Sequence, residues 1–321
     1  VIATGASAVV PPLEGVELKG VFKMRTPDDA IRIRAYIEAA NVKKAVVVGG
    51  SFIGLEAAEN LHAQGVEVTV IDFASQLLPN VLDPEMADYA KRHLQKQGIR
   101  VLTGTKAEKL LGDGRVTAVR TDTAALPAEL VVLSAGIRPN TAFLADSGME
   151  MYKGTILVDE RLRTNLPDVY AAGDCVMVTN RITGRRQWSP MGSSANLEGR
   201  TLAQILTGQD KTYPGVLGTG VVKLPGLNCG RTGLTELQAK EAGYDVVTAL
   251  AVTDDKAHYY PDAAFFITKL IADRRTHKLL GVQVFGPGAV DKMVDIAVMA
   301  INMGAVLEDF ENADFAYAPP F

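Results

Sequence analysis

The stretch KKAVVVGGSFIGLEAAENLHAQGVEVTVID, residues 43–72, constrains the fold more than any other part of the chain. It opens on a short apolar run rich in β-branched Val, which reads as a strand buried on both faces. Two glycines follow, then apolar positions at helical spacing over Ile53–Gln64, then a second strand, VEVTVID. Strand, turn, helix and strand within about 30 residues make a βαβ unit, which predicts a parallel sheet.

The turn carries a second signal. A G-x-G-x-x-G template falls on Gly49, Ser51 and Gly54. Gly49 permits the tight turn, the middle position lets backbone approach a pyrophosphate, and Gly54 lets helix and strand pack closely. Ser51 replaces the middle glycine, and its Cβ crowds a phosphate somewhat; Gly50 beside it supplies slack. With Phe52 and Ile53 at the helix start, these residues form a candidate cradle for a pyrophosphate on a helix N-terminus. Asp72 closes the second strand roughly 20 residues on, where a carboxylate accepts from an adenosine ribose 2′-OH. It repels a 2′-phosphate and no Arg follows it directly, so the pattern favours NADH over NADPH.

Around this unit the pattern is mixed. A helix is expected at Pro27–Ala40, with Thr26 as N-cap and Pro27 at its first position. Another is expected at Pro84–Gln97 and a third at Ser193–Leu206. Val1–Thr4 and Val169–Ala172 read as strands. From Tyr213 onward GVVKLPG, DVVTALAVT, AFFITKLIAD and KLLGVQVFG read as successive antiparallel strands, with DRRTHK as a hairpin loop. A helix at Ala289–Met303 turns Val290, Met293, Val294, Ala297, Val298 and Ile301 to one apolar face. The expected class is α/β with a separate α+β domain over residues 213–321.

Bulk properties exclude several functions. The chain has 321 residues and a net charge of −4 with no basic cluster, which argues against a nucleic-acid surface. No apolar run approaches the ~18–20 residues of a membrane span. Its two cysteines, Cys175 and Cys229, form neither a CxxC nor a disulfide framework, so a reducing cytoplasm is the expected setting. The four histidines are scattered, no HExxH occurs, and no metal site is expected.

One internal echo stands out. VVLSAGIRPN (131–140) closes the Gly49 unit with an apolar strand, Gly136, then Pro, and VIATGASAVVPP (1–12) has the same shape around Gly5. By analogy Gly5 belongs with a Gly-rich turn roughly 80–110 residues upstream. The first residues therefore read as the close of a second nucleotide domain whose start lies before Val1.

On these motifs the chain resembles the two-dinucleotide-binding-domain flavoproteins, the pyridine nucleotide-disulfide oxidoreductases, over its whole length. The resemblance implies a Rossmann-like NAD(P)H domain (21–150) inserted in an FAD domain, of which 1–20 and 151–212 are parts, followed by an α+β dimerisation domain (213–321). In LRTNLPDVYAAGDC, Gly173 and Asp174 match the signature whose Asp hydrogen-bonds the FAD ribityl chain. PMGSSANLEGR resembles the helix start that faces the flavin pyrimidine, with Ser194, Ala195 and Asn196 as approach points; a helix N-terminus there favours negative charge. Phe52 matches an aromatic that gates the nicotinamide pocket, and Glu56 lies near the same stacked pair.

HYYPDAA and FAYAPPF look like coenzyme A-disulfide reductases, related NADH oxidases and NADH-dependent persulfide reductases. The resemblance places Tyr259 or Tyr260, and Tyr317, across a homodimer from the partner's redox Cys and thiol substrate, where a phenol can protonate a leaving thiol. The implied reaction passes a hydride from NADH to FAD, then electrons to a redox Cys that attacks a disulfide or persulfide. Neither Cys175 nor Cys229 matches that Cys, which is expected upstream of Val1. The chain alone is therefore expected to hold FAD weakly and turn over little. YAPPF reads as a cut, since this branch normally continues, sometimes into a rhodanese domain. Alternatives are an NADH oxidase using O2, a ferredoxin- or rubredoxin-type reductase, and a non-enzymatic NADH-binding dimeric module.

Overall fold

A computed structural model describes residues 1–320. Its centre is a five-stranded parallel sheet in the order Val21–Lys23, Leu130–Leu133, Lys44–Val48, Glu67–Asp72, Arg100–Thr103. Alternation along each strand sends side chains to opposite faces. Ala45, Val47, Val68 and Val70 join a core formed with the helices α1 (Pro27–Ala40), α2 (Phe52–Ala63) and α3 (Pro84–Lys96). Val46, Ile71, Val131 and Leu133 face the other way, against Leu110, Val116 and Val119. Those residues belong to a three-stranded antiparallel sheet, Ala107–Asp113, Arg115–Thr121 and Ala125–Pro127. Both faces are covered, which is why the residues in the middle of these strands are largely apolar.

α1 keeps its expected limits. Thr26 caps the Asp29 amide and the Asp29 carboxylate returns the bond to the Thr26 amide, while Asn41 ends the helix in a left-handed conformation. The echoing segments pair with each other: Ala6–Ala8 runs antiparallel to Ile137–Pro139, and Asn140 reaches back to Ser7 and the Thr4 carbonyl.

Two expected strands are corrected. Val1–Thr4 makes only a single parallel bridge, Ile2 to Ala171, before Gly5 turns the chain at φ +67°. Val169–Ala172 likewise touches Arg163 and Ile2 through one residue each, and Gly173 ends it at φ +87°. In neither segment do these one-residue bridges extend into a ladder. The connector Glu14–Lys19 pairs with the small antiparallel sheet, at Lys109 and Arg115.

The C-terminal part is a five-stranded antiparallel sheet, Gly220–Leu224, Leu227–Gly233, Leu279–Gly286, Phe265–Asp273 and Val246–Asp254. Leu227–Gly233 gives no strand signal in sequence because LNCGRTG lacks apolar alternation, yet it is buried along nearly its whole length. The helix α4 (Gly192–Leu206) lies before this sheet, and α5 (Glu236–Glu241) and α6 (Val290–Met303) within its domain. On α6 the buried side is Val290, Val294 and Ala297. Met293, expected on that face, is exposed, as are Ile296, Met299 and Met303. α6 therefore carries a second apolar face that the described residues do not cover.

The two sheets are not independent. Val222, Leu224, Leu227, Cys229 and Phe285 share the core of α1–α3. Beside that core the buried Lys269 ammonium meets Asp83 Oδ2 at 2.9 Å, Glu236 Oε2 at 2.8 Å, and Glu85. These three carboxylates thus surround an ammonium, and Asp83 also accepts from Gln283 Nε2 at 2.7 Å. Burial opposes the charge on Lys269, but hydrogen bonds to Glu236, Glu85 and Asp83 outweigh it and raise its pKa.

Candidate functional site

The strand–turn–helix at Gly49 leaves no room for side chains. A Cβ on Gly54 would overlap the Gly49 carbonyl oxygen, and one on Gly49 would overlap the Ser134 carbonyl. Ser134 Oγ donates to the Val48 and Gly49 carbonyls at 3.0 and 3.1 Å, tying the turn to the strand that ends at Leu133. Gly50 is closed in by Leu77. Ser51 is exposed and extended as the α2 N-cap, and its side chain makes no capping bond. The first-turn amides, including those of Phe52 and Ile53, lack intrahelical acceptors and suit an anion.

Asp72 has a role that sequence did not reveal. It is buried, its Oδ2 accepts from the Gly50 amide at 2.6 Å and its Oδ1 from the Ala74 amide at 2.8 Å. The carboxylate therefore shapes the glycine turn itself. Each oxygen has a second lone pair for a ribose hydroxyl.

Phe52 lies against Gly220, where α2 meets the C-terminal sheet, and Met191, just before α4, approaches the same glycine. One turn along α2, Glu56 lines a cleft of about 520 Å³ with Met24, Arg25, Ile53 and Asn60. Burial, and then the charge of Glu59, raise its pKa.

Gly173 and Asp174 form a second cluster. The Gly173 amide donates to Glu198 Oε2 at 2.6 Å. Asp174 Oδ2 pairs with Arg25 Nη2 at 2.6 Å, and its carbonyl accepts from Trp188 Nε1 at 2.8 Å. Arg25 Nε also donates to the Ala6 carbonyl, so one guanidinium links the Ala6 strand and the Asp174 turn to the residues leading into α1. Ala195 faces Gly173, and Ser194 Oγ lies 2.9 Å from Ser189 Oγ. The N-terminus of α4 makes no side-chain capping bond, so its first amides can meet a negatively charged group. Gly136 is open on its Cβ side and hydrogen-bonds Val9 through its carbonyl. Arg25, Trp188 and Glu198 were missed in the sequence, since no local motif connects them.

The tyrosine-bearing loops meet where the Ala257 amide donates to the Pro319 carbonyl at 3.2 Å. Tyr259 and Tyr317 are largely exposed and Tyr260 less so. Both cysteines are buried. Burial pushes the Cys229 thiol up to about 12, so it offers no thiolate at neutral pH.

The cradles suit dinucleotides. The Gly49–Gly54 turn opens onto the uncapped start of α2, and the Gly173–Asp174 turn faces the uncapped start of α4. Residues 1–195 match the pyridine nucleotide-disulphide oxidoreductase family, and residues 221–321 match its dimerisation domain. The chain belongs to this family, whose cofactors are NAD(P)H and FAD. It is 39% identical to an NAD(P)H coenzyme A polysulfide/persulfide reductase of Pyrococcus horikoshii, covering all of this chain and 72% of the relative. It is 37% identical to an NADH oxidase of Methanocaldococcus jannaschii, covering all of this chain and 71% of that protein. Its fold overlays the structure of an NAD-dependent persulfide reductase from A. fulgidus with a TM-score of 0.95 at 38% identity. That match covers all of this chain and 59% of the solved one, so the chain spans under two thirds of that structure.

Proposed function

We propose that this chain carries the NADH-binding, flavin-facing and dimerising parts of an oxidoreductase. Its substrate is a small thiol disulfide, coenzyme A disulfide above all, or a persulfide. The observation that carries the reading is the Asp72–Gly50 bond, which sets a carboxylate directly behind the phosphate-binding turn. When bound, NADH supplies a hydride and FAD relays its two electrons toward sulfur.

The chain's own residues divide the work. The α2 N-terminus and Gly49–Gly54 hold a pyrophosphate, and Asp72 selects the unphosphorylated ribose. Phe52, packed on Gly220, closes the nicotinamide side. Glu56 borders the cleft beside α2, and Gly136, open on its Cβ side, is a further cofactor contact. Gly173, Asp174, Ser194 and Ala195 orient the flavin, with α4 amides toward its pyrimidine edge. Tyr317, with Tyr260 or Tyr259, donates a proton to a departing thiolate across the dimer. Exposed Met293, Ile296, Met299 and Met303 supply an apolar surface for a second copy. The setting is a reducing cytoplasm.

Titration of the protein with NADH and with NADPH tests the nucleotide site: NADH binds tighter, and binding of neither overturns the reading. NADH consumption by FAD-loaded protein lengthened upstream to carry the expected redox Cys, with coenzyme A disulfide, a coenzyme A persulfide or O2 as acceptor, tests the rest. Turnover with O2 alone would replace the sulfur substrate by the oxidase reading, which the similarity to the NADH oxidase of M. jannaschii keeps in view.

A further inference from the structure

Glu198 is a carboxyl group in a place that rarely keeps one. Its side chain is almost wholly buried on α4, and its Oε2 accepts from the Gly173 amide at 2.6 Å. Among the described residues no cation forms an ion pair with it. The groups around it come from three directions. Asp174, on the turn it holds, is a second carboxylate, itself paired with Arg25. Tyr213 brings a buried hydroxyl that has no hydrogen bond of standard geometry among the described residues. Arg181 acts on Tyr213 from beyond. From its own helix, Ser194 is the neighbour of that same hydroxyl.

We infer that Glu198 is a positioning residue whose carboxyl holds the Gly173–Asp174 turn through the Gly173 N–H, and whose protonation sets the charge behind that turn. The inference rests on reading this turn as flavin-facing, and it names what controls it. Both protonation states can be satisfied in place. The ionised form accepts from the Gly173 amide and can accept from Tyr213. The neutral acid keeps the amide bond through its carbonyl oxygen and gives its O–H to the Tyr213 oxygen. Burial pushes the group up to about 7, opposed by the Gly173 and Tyr213 hydrogen bonds and assisted by Asp174, so the change falls within the neutral range. Ionisation then places two negative charges at one turn and presses Asp174 toward Arg25.

The chain contains its own reporter. Trp188 is the single tryptophan, and its Nε1 donates to the Asp174 carbonyl at 2.8 Å. Its fluorescence, followed from pH about 5 to about 9, should show one transition with its midpoint near 7. Glu198→Gln should abolish that transition while circular dichroism stays unchanged, because the amide oxygen still accepts from Gly173 and no longer titrates. A flat wild-type trace, or a transition that survives in Glu198→Gln, overturns the inference. Should the Gln variant fail to fold, Tyr213→Phe replaces it. Removing the hydroxyl donor moves the midpoint upward, and an unmoved midpoint overturns the inference equally. Flavin titration tests the other reading separately. An intact Trp188 transition without flavin binding would keep Glu198 in its role and remove the flavin from the turn.

Discussion

Lys269 and Asp83 form a buried ion pair at 2.9 Å between residues far apart in sequence, one on the C-terminal sheet and one at the head of α3. Glu85 and Glu236 complete the shell around the ammonium. The cluster sits beside the core that joins the nucleotide sheet to the C-terminal sheet, so it fixes how the two meet. Phe52, which touches Gly220 of the second sheet, depends on that fit.

Removing the cation should therefore be costly. Lys269→Ala leaves three carboxylates facing one another, and loss of one partner of a buried pair costs about 3–5 kcal/mol. Urea unfolding should show it. Arg34→Ala, at an exposed helical pair with Glu38, should change stability by less than about 0.5 kcal/mol. Equal effects would mean that Lys269 holds nothing together.

The glycine turn separates close packing from mere flexibility. Gly54→Ala forces α2 away from the strand, because the new methyl meets the Gly49 carbonyl and Ser134 Oγ. Overpacking of this kind costs about 1–3 kcal/mol, and NADH binding should fall with it. Gly199→Ala, in α4 with open space around it, should instead stabilise by about 0.4–1 kcal/mol. Thermal melts and NADH titration of the two variants give the comparison.

Asp72 requires two readouts because it does two things. Asp72→Asn keeps one acceptor and loses the other, so one of the Gly50 and Ala74 amides is left unpaired, at a cost of about 1–3 kcal/mol. Affinity for both nucleotides should drop with the distorted turn. The ribose role appears only in the ratio: the preference for NADH over NADPH should narrow. A lower affinity for both with an unchanged ratio would leave Asp72 as a turn residue and nothing more.

What was legible in the sequence follows a physical line. The βαβ unit and α1 were readable because strand, cap and glycine turn are local chemistry: Thr26, Pro27 and Gly49 act on neighbours within a few residues. The antiparallel C-terminal sheet was readable where strands alternate, and Leu227–Gly233 was not, because its burial comes from tertiary contact. The Val1–Thr4 strand failed because apolar character alone does not supply a ladder of partners. Arg25, Glu198 and Lys269 were invisible for the same reason. Each is a polar residue on an ordinary element, and its role exists only once distant segments meet. Asp72 shows the intermediate case, where position was legible and its grip on Gly50 was not.

Glu198 should also make stability depend on pH, with a definite sign. Its ordinary value of 4.5 describes the unfolded chain, and burial in the fold raises it to about 7. Folding therefore favours the protonated form. That contribution is fully present below pH about 4.5 and is lost as the pH rises to about 7, because the unfolded chain releases its proton first. The size is on the order of 3 kcal/mol for a shift of this extent. Wild-type protein should lose stability from this group between about pH 5 and 8, and Glu198→Gln should lose none of it. Chemical denaturation of both proteins at the two pH values isolates the difference, since every other titrating group is shared. If the two stability profiles run parallel, the Glu198 carboxyl is ionised in the fold at pH 5 and the charge behind Gly173 is fixed.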